Sequence, residues 1–171
     1  MPIRIREGEQ RDIEAIATIH VRAWQDAYRG QLSDDYLEGL DIAERIPQTR
    51  SMIEGSPPEF RVWVSQDDED IVGFAVTGPS QDADADPKTG EVYAIYLDPS
   101  RVGTGAGRAL FEHAVADLRA RGYSTATLWV LESNERARRF YEAAGWATDG
   151  ASTSERVDCE MRPTVRYRVG L

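Results

Sequence analysis

Hydrophobic positions change period several times along the chain, and each change marks an element. Ile3 and Ile5 alternate with Arg4 and Arg6, a strand pattern. From Asp12 the period lengthens, and Ile13, Ile16, Ala17, His20, Ala23 and Trp24 fall at helical spacing. This pattern fades near Tyr28-Arg29, where Gly30 is a suitable C-terminal stop. Ser33 is an N-cap for a second helical region through about Glu54, in which Pro47 must introduce a break or kink. The period then shortens. Phe60 to Ser65 and Ile71 to Thr77 are apolar strands joined by the charged loop Asp67-Asp68-Glu69-Asp70, and residues 78–90 form a polar, flexible connector. Glu91 to Leu97 is a strand stopped by Asp98-Pro99. A glycine-rich turn follows, then an amphipathic helix with Ala109, Leu110, Ala114, Val115 and Leu118 on one face. Thr125 to Leu131 reads as a buried strand and Asn134 to Ala144 as a helix ending at Gly145. Trp146 begins another extended segment, and Thr164 to Val169 is the last strand. The order β-α-α-β-β-β-α-β-α-β-β, without repeat or linker, predicts an α/β fold with a mixed sheet, in a single domain over residues 1–171.

Composition narrows the function classes. The 171 residues are 41% hydrophobic and 29% charged, as in ordinary globular proteins. With 20 Lys+Arg against 30 Asp+Glu the net charge is −10, which argues against a nucleic-acid partner. The same excess is a weak pointer to a cationic substrate, since acidity often serves solubility alone. Cys159 is the only cysteine, which excludes an internal disulfide framework and a multi-cysteine metal site. The first ten residues lack the apolar core of a signal peptide. No apolar run approaches the roughly 18 residues that span a bilayer. A cytoplasmic protein without a membrane partner is the expectation. Asp82-x-Asp84-x-Asp86 looks like the start of a calcium loop, but Pro87 replaces the needed glycine and Tyr93 the closing glutamate. His20 and His113 lack ligand spacing, so no metal is expected.

The chemistry concentrates in Arg101-Val102-Gly103-Thr104-Gly105-Ala106-Gly107-Arg108, between a strand and a helix. Successive backbone N–H groups and the positive end of a helix make an anion site there. Glycines let that backbone approach a diphosphate. The Walker sequence fails because Arg108-Ala109 follows Gly107, and the dinucleotide fingerprint fails because Arg108 stands where its last glycine belongs. ATP and NAD are therefore poor candidates.

Read with the preceding strand, Glu91-Val92-Tyr93-Ala94-Ile95-Tyr96-Leu97-Asp98-Pro99 and Val102 to Gly107 resemble motif A of the GNAT acetyltransferases. Downstream, Asn134, Ala137, Phe140, Tyr141, Gly145 and Trp146 are spaced as in motif B of the same family. The element order is similar from residue 3 to the end. The resemblance implies a mostly antiparallel mixed sheet with splayed central strands, flanked by helices. It also implies acetyl-CoA as co-substrate and no metal. The family usually has Arg or Gln directly before the first glycine; Val102 departs from this, and Arg101 lies one place earlier.

Carried over position by position, the resemblance assigns acetyl-CoA to the backbone of Ile95, Tyr96 and Leu97. It adds residues 102–108, namely Val102, Gly103, Thr104, Gly105, Ala106, Gly107 and Arg108, together with Asn134 and Ala137. A strand N–H would stabilise the oxyanion, and Thr125 to Val130 would form the other side of the splay. Glu91 takes the position of a general base and Tyr141 that of the acid that protonates the leaving thiolate. Their alternatives are a solvent-facing carboxylate and a core aromatic. Glu91, Tyr93, Ile95 and Leu97 should share one strand face. Trp24, Tyr28, Tyr36 and Tyr93 are the candidate acceptor wall, core packing being the alternative for Trp24 and Tyr28. The expected reaction is direct transfer, within a ternary complex, to the primary amine of a small molecule. A peptide N-terminus as acceptor and a non-catalytic acetyl-CoA sensor are the alternatives. Many family members dimerise, which makes a homodimer through Thr164–Val169 an expectation.

Overall fold

The computed structural model describes residues 2–171. Seven strands form one sheet: β1 (Arg4–Glu7), β2 (Arg61–Asp67), β3 (Asp70–Pro79), β4 (Thr89–Leu97), β5 (Thr125–Leu131), β6 (Ala147–Val157) and β7 (Glu160–Gly170). Their order across the sheet is β1-β2-β3-β4-β5-β7-β6, and every neighbouring pair is antiparallel except β4 and β5. The helices are α1 (Ile13–Ala27), α2 (Asp34–Glu38), α3 (Ile42–Glu54), α4 (Ala106–Ala120) and α5 (Glu135–Ala143). Ile16 and Ile19 of α1 pack with Val64, Phe74 and Val76 on one face. On the other face Leu110 and Ala114 of α4 meet Trp63 and Ala75, and Phe111 and Leu118 continue into the core beneath β5 and β7. None of the described helices is long and apolar enough to cross a membrane.

Several expectations are corrected. The second helical region is two helices, and the break falls at Gly39–Asp41 rather than at Pro47, which lies inside α3. Asp41 restarts the helix by accepting a bond from the Ala43 N–H at 2.9 Å. Pro47 removes one donor from the helical ladder, and the helix continues to Glu54. The connector after β3 is tied down, its Asp82 and Asp84 both bound to Arg166. The segment Thr164–Val169 belongs to β7, which pairs with β5 on one side and β6 on the other. The sheet's edges are β1 and β6.

Two irregularities create the site. Strands β4 and β5 pair only through Thr89–Thr125, Gly90–Ala126 and Glu91–Thr127, after which no β4–β5 pairing continues. In addition, Val76 pairs with Ala94 and Thr77 with Val92, so Tyr93 is an unpaired bulge residue. The bulge breaks the expected alternation of side chains. Val92 joins Phe111 and Leu118 on the α4 side, as Ile95 does, whereas Ala94 and Tyr96 pack with Phe74 on the α1 side. Glu91, adjacent to Val92 in regular pairing, therefore lies on the opposite face from Ile95 and Leu97 rather than sharing theirs.

Candidate active site

The divergence of β4 from β5 opens a cavity of about 590 Å³, walled by Val92 to Leu97 on one side and Leu128 to Leu131 on the other. Since pairing ends at Glu91, the β4 backbone beyond it has no partner strand on the β5 side. The glycine loop forms one end. Gly103 and Gly105 have φ of 83° and 91°, and a Cβ at either position would meet nothing within 4 Å. Left-handed backbone costs other residues about 1–2 kcal/mol, so glycine is required by conformation and the surrounding space is open. Gly105 is the N-cap of α4 and supplies no side-chain cap, whereas Ser33, Asp41 and Asn134 each cap a helix. In the first turn of α4 the Ala106 N–H donates to Thr104 Oγ1 at 3.5 Å, while the N–H groups of Gly107 and Arg108 have neither an intrahelical nor a side-chain partner.

Side chains near the loop are largely committed elsewhere. Arg101, one place before Val102, pairs with Asp67. Arg108 lines the cavity but is bonded to Glu112 at 2.8 Å. Val102, Gly103, Gly105 and Gly107 line the cavity. Thr104 and Ala106 are not among its lining residues: the Thr104 hydroxyl donates to the Arg101 carbonyl at 2.6 Å, and Ala106 is buried.

Helix α5 forms the second border. Asn134 Oδ1 accepts from the Ala137 N–H at 3.2 Å, while its Nδ2 donates to the Tyr28 hydroxyl at 3.1 Å. One amide thus caps α5 and ties it to the end of α1. Two turns on, Tyr141 packs against Phe111 and Tyr167 with its side chain at the cavity wall. Burial, reinforced by the phenols of Tyr96 and Tyr28, pushes the Tyr141 hydroxyl well above its ordinary pKa, so it holds its proton at neutral pH. Tyr28 is pushed up to about 12 by burial, partly offset by the Asn134 bond. The Tyr96 hydroxyl accepts from Trp24 Nε1 at 3.0 Å, and Trp24 and Tyr28 pack with ring centroids 4.7 Å apart. Ile95, Leu97 and Ala137 complete this middle section.

Tyr93 and Trp129 lie across the seam from each other in the cavity wall. The Tyr93 hydroxyl donates to the Pro79 carbonyl. Trp129 Nε1 donates to Asp82 at 3.1 Å, and Arg166 lies over its ring at 5.5 Å. Arg166, only 5% exposed, also pairs with Asp82 at 3.1 Å and with Asp84 and Asp149 at 2.7 Å. Glu91 stands beside this cluster, outside the lining of the cavity, and its Oε1 accepts from the Ser80 hydroxyl at 3.1 Å. Burial and the neighbouring Asp82 raise its carboxyl to about 7, the Ser80 bond and Arg166 opposing them. Tyr36 is not part of the wall; it packs on the cluster of Tyr28, Leu32 and Leu37. Asp26, Trp129, Arg136, Glu155 and Thr164 are lining residues that sequence reasoning did not single out.

A model of the acetyltransferase (GNAT) family matches residues 13–146, most of the chain. The chain belongs to the GNAT acetyltransferase family. It is 35% identical over 143 residues to the N-acetyltransferase YuaI of Bacillus subtilis (strain 168), covering 82% of this chain and 78% of that protein. It is 34% identical over 152 residues to a mycothiol acetyltransferase of Thermobispora bispora, covering 86% of this chain but 48% of that protein. The PaiA N-acetyltransferase of Thermoplasma acidophilum, solved in complex with coenzyme A, superposes with a TM-score of 0.73 at 19% identity over 100% of both chains. At that identity the likeness shows the fold. This GNAT protein is thus an acetyl-CoA-dependent N-acetyltransferase. Its own residues fit that donor: uncapped amides beside open glycines suit a pyrophosphate, and the unpaired β4 backbone suits the amides of a pantetheine arm.

Proposed function

We propose that this enzyme passes the acetyl group of acetyl-CoA directly to the primary amine of a small molecule, both substrates being bound at once. The observation that carries the reading is continuity: one cavity borders the anion-binding loop, the phenol of Tyr141 and the Trp24–Tyr28 pair. The β6–β7 hairpin favours a small acceptor, because Val157 near its turn packs against Tyr28, Leu32 and Leu37 and closes that side.

An alkylamine with a pKa of ~10.4 is protonated at neutral pH, and freeing its lone pair costs about 4–5 kcal/mol. Glu91, with a carboxyl near 7, is poised to take that proton, and its place behind Tyr93 and Trp129 makes water the carrier. The unpaired N–H groups of β4 stabilise charge on the acetyl oxygen as the C–N bond forms. Tyr141 keeps its proton until the C–S bond breaks, gives it to the departing sulfur, and recovers one from solvent. Acetyl-CoA supplies the activated acyl group; the chain supplies position and proton traffic.

Thiol release measured against small amines and peptides tests the proposal. Rapid CoA release with a small primary amine is the expected result. Release with peptides alone, or stabilisation by acetyl-CoA without release for any acceptor, would overturn it.

A further inference from the structure

Four charged residues line the cavity, Asp26, Arg108, Arg136 and Glu155, and all but one are paired. Asp26 is held by Arg136 at 3.2 Å, and Arg108 by Glu112 at 2.8 Å. Glu155 lines the cavity without an ion pair among the described residues. Arg162, its partner across the β6–β7 ladder, turns instead to Glu160 at 3.2 Å. The cavity wall therefore presents one uncompensated negative charge.

The fold sets the face of β6 from which this exposed side chain leaves. Glu155 is two residues before Val157, so both side chains leave β6 on the same face. Val157 is buried with Tyr28, Leu32, Leu37 and Leu131. At the hairpin turn, Asp158 accepts from the Ser33 N–H at 3.2 Å. These contacts fasten the hairpin to the segment between α1 and α2 and bring the Glu155 face towards the Trp24–Tyr28 pair. Burial raises the phenols of both Tyr28 and Tyr96; the Glu155 charge adds to both, and Arg45 opposes it at Tyr96.

We infer that Glu155 determines specificity by binding a second cationic group of the acceptor, one that stays charged while the reacting amine is acetylated. The inference rests on the amine-acceptor reading above. The reacting nitrogen must lose its proton and cannot keep an ion pair through the reaction. A carboxylate without a protein partner, lining the same cavity as Trp24 and Tyr28, instead suits a permanent cation. The acceptor class is therefore a diamine or another amine bearing a distal ammonium or guanidinium group.

The test uses the full chain, saturating acetyl-CoA, and short α,ω-diamines against n-alkylamines of matched length, with CoA release as the readout. The expected result is a kcat/KM preference for the diamine of about tenfold, lost in Glu155→Gln and inverted towards the uncharged tail in Glu155→Lys. A matched acetyl-CoA-induced thermal shift shows that each variant remains folded. Equal use of both amines by the unaltered enzyme, or a preference that survives Glu155→Gln, overturns the Glu155 subsite alone. Release of CoA with neither amine overturns this inference, and the amine reading falls with it when no other small primary amine releases CoA.

Discussion

The two ends of the cavity are built from different materials. The end assigned to the donor is backbone: the turn at Gly103 and Gly105, the uncapped start of α4 and the unpaired stretch of β4. The end assigned to the acceptor is side chain: Trp24 and Tyr28 from α1 and its end, Trp129 from β5 and Glu155 from β6. Main-chain amides recognise a phosphate whatever the neighbouring side chains are, so such a site survives wide sequence change. A side-chain wall can be rebuilt for another acceptor without touching the turn. The division lets one fold keep its donor and exchange its acceptor.

Substitutions in either end sharpen this contrast. The largest effects are expected where the two ends meet. Tyr141→Phe should lower turnover by about a hundredfold while CoA affinity changes less than about twofold, because the ring still packs and only the proton is lost. Unchanged turnover would remove Tyr141 as the acid. Glu91→Gln should cost a similar factor at alkaline pH and erase the acidic limb of the rate profile, which in the unaltered enzyme falls below a pH of about 7. Its stability signature has a definite sign. The folded carboxyl titrates near 7 against 4.5 for the free group, so the folded state holds the extra proton between those values. The stability gained is complete below 4.5 and lost as pH rises to 7; Gln, which mimics the protonated acid, should flatten the pH dependence of Tm across that window.

Gly105→Val should weaken CoA binding by about tenfold or more in a calorimetric titration, through left-handed strain and a side chain in the ligand's space. An acceptor KM that moved as much would argue against separate ends. Asn134→Ala is the mildest change. It should cost about 1 kcal/mol of stability through the lost cap, a fall in Tm of roughly 2–4 °C, and raise the acceptor KM slightly by freeing Tyr28.

The same division explains what could be read in advance. Glycines at fixed spacing between a strand and a helix carry their meaning locally, so the loop, the capping Asn134 and the position of Tyr141 were legible from the chain alone. The acceptor end was not. Tyr36 carries the right chemistry, yet α2 turns it onto Leu37 and away from the cavity. Glu155 lies in a polar strand with no local mark, and only the packing of Val157 points its face inward. The bulge at Tyr93 is silent in the alternation of β4, so Glu91 was expected on the wrong face. The segment 78–90 reads as loose because it is polar; the residues that fasten it, Trp129 and Arg166, stand 47 and 84 positions away from Asp82.

That fastening has a mechanical consequence. Only three residue pairs join β4 to β5, which on their own would leave the two parts of the sheet free to swing about a single seam. The aspartates after β3 reach over the seam to Arg166 on β7 and to Trp129 on β5, beside the last of those pairs. Two pins side by side make a bracket where one would make a hinge. The gap between the strands is a wedge with a clamped apex, whose width is set before either substrate arrives.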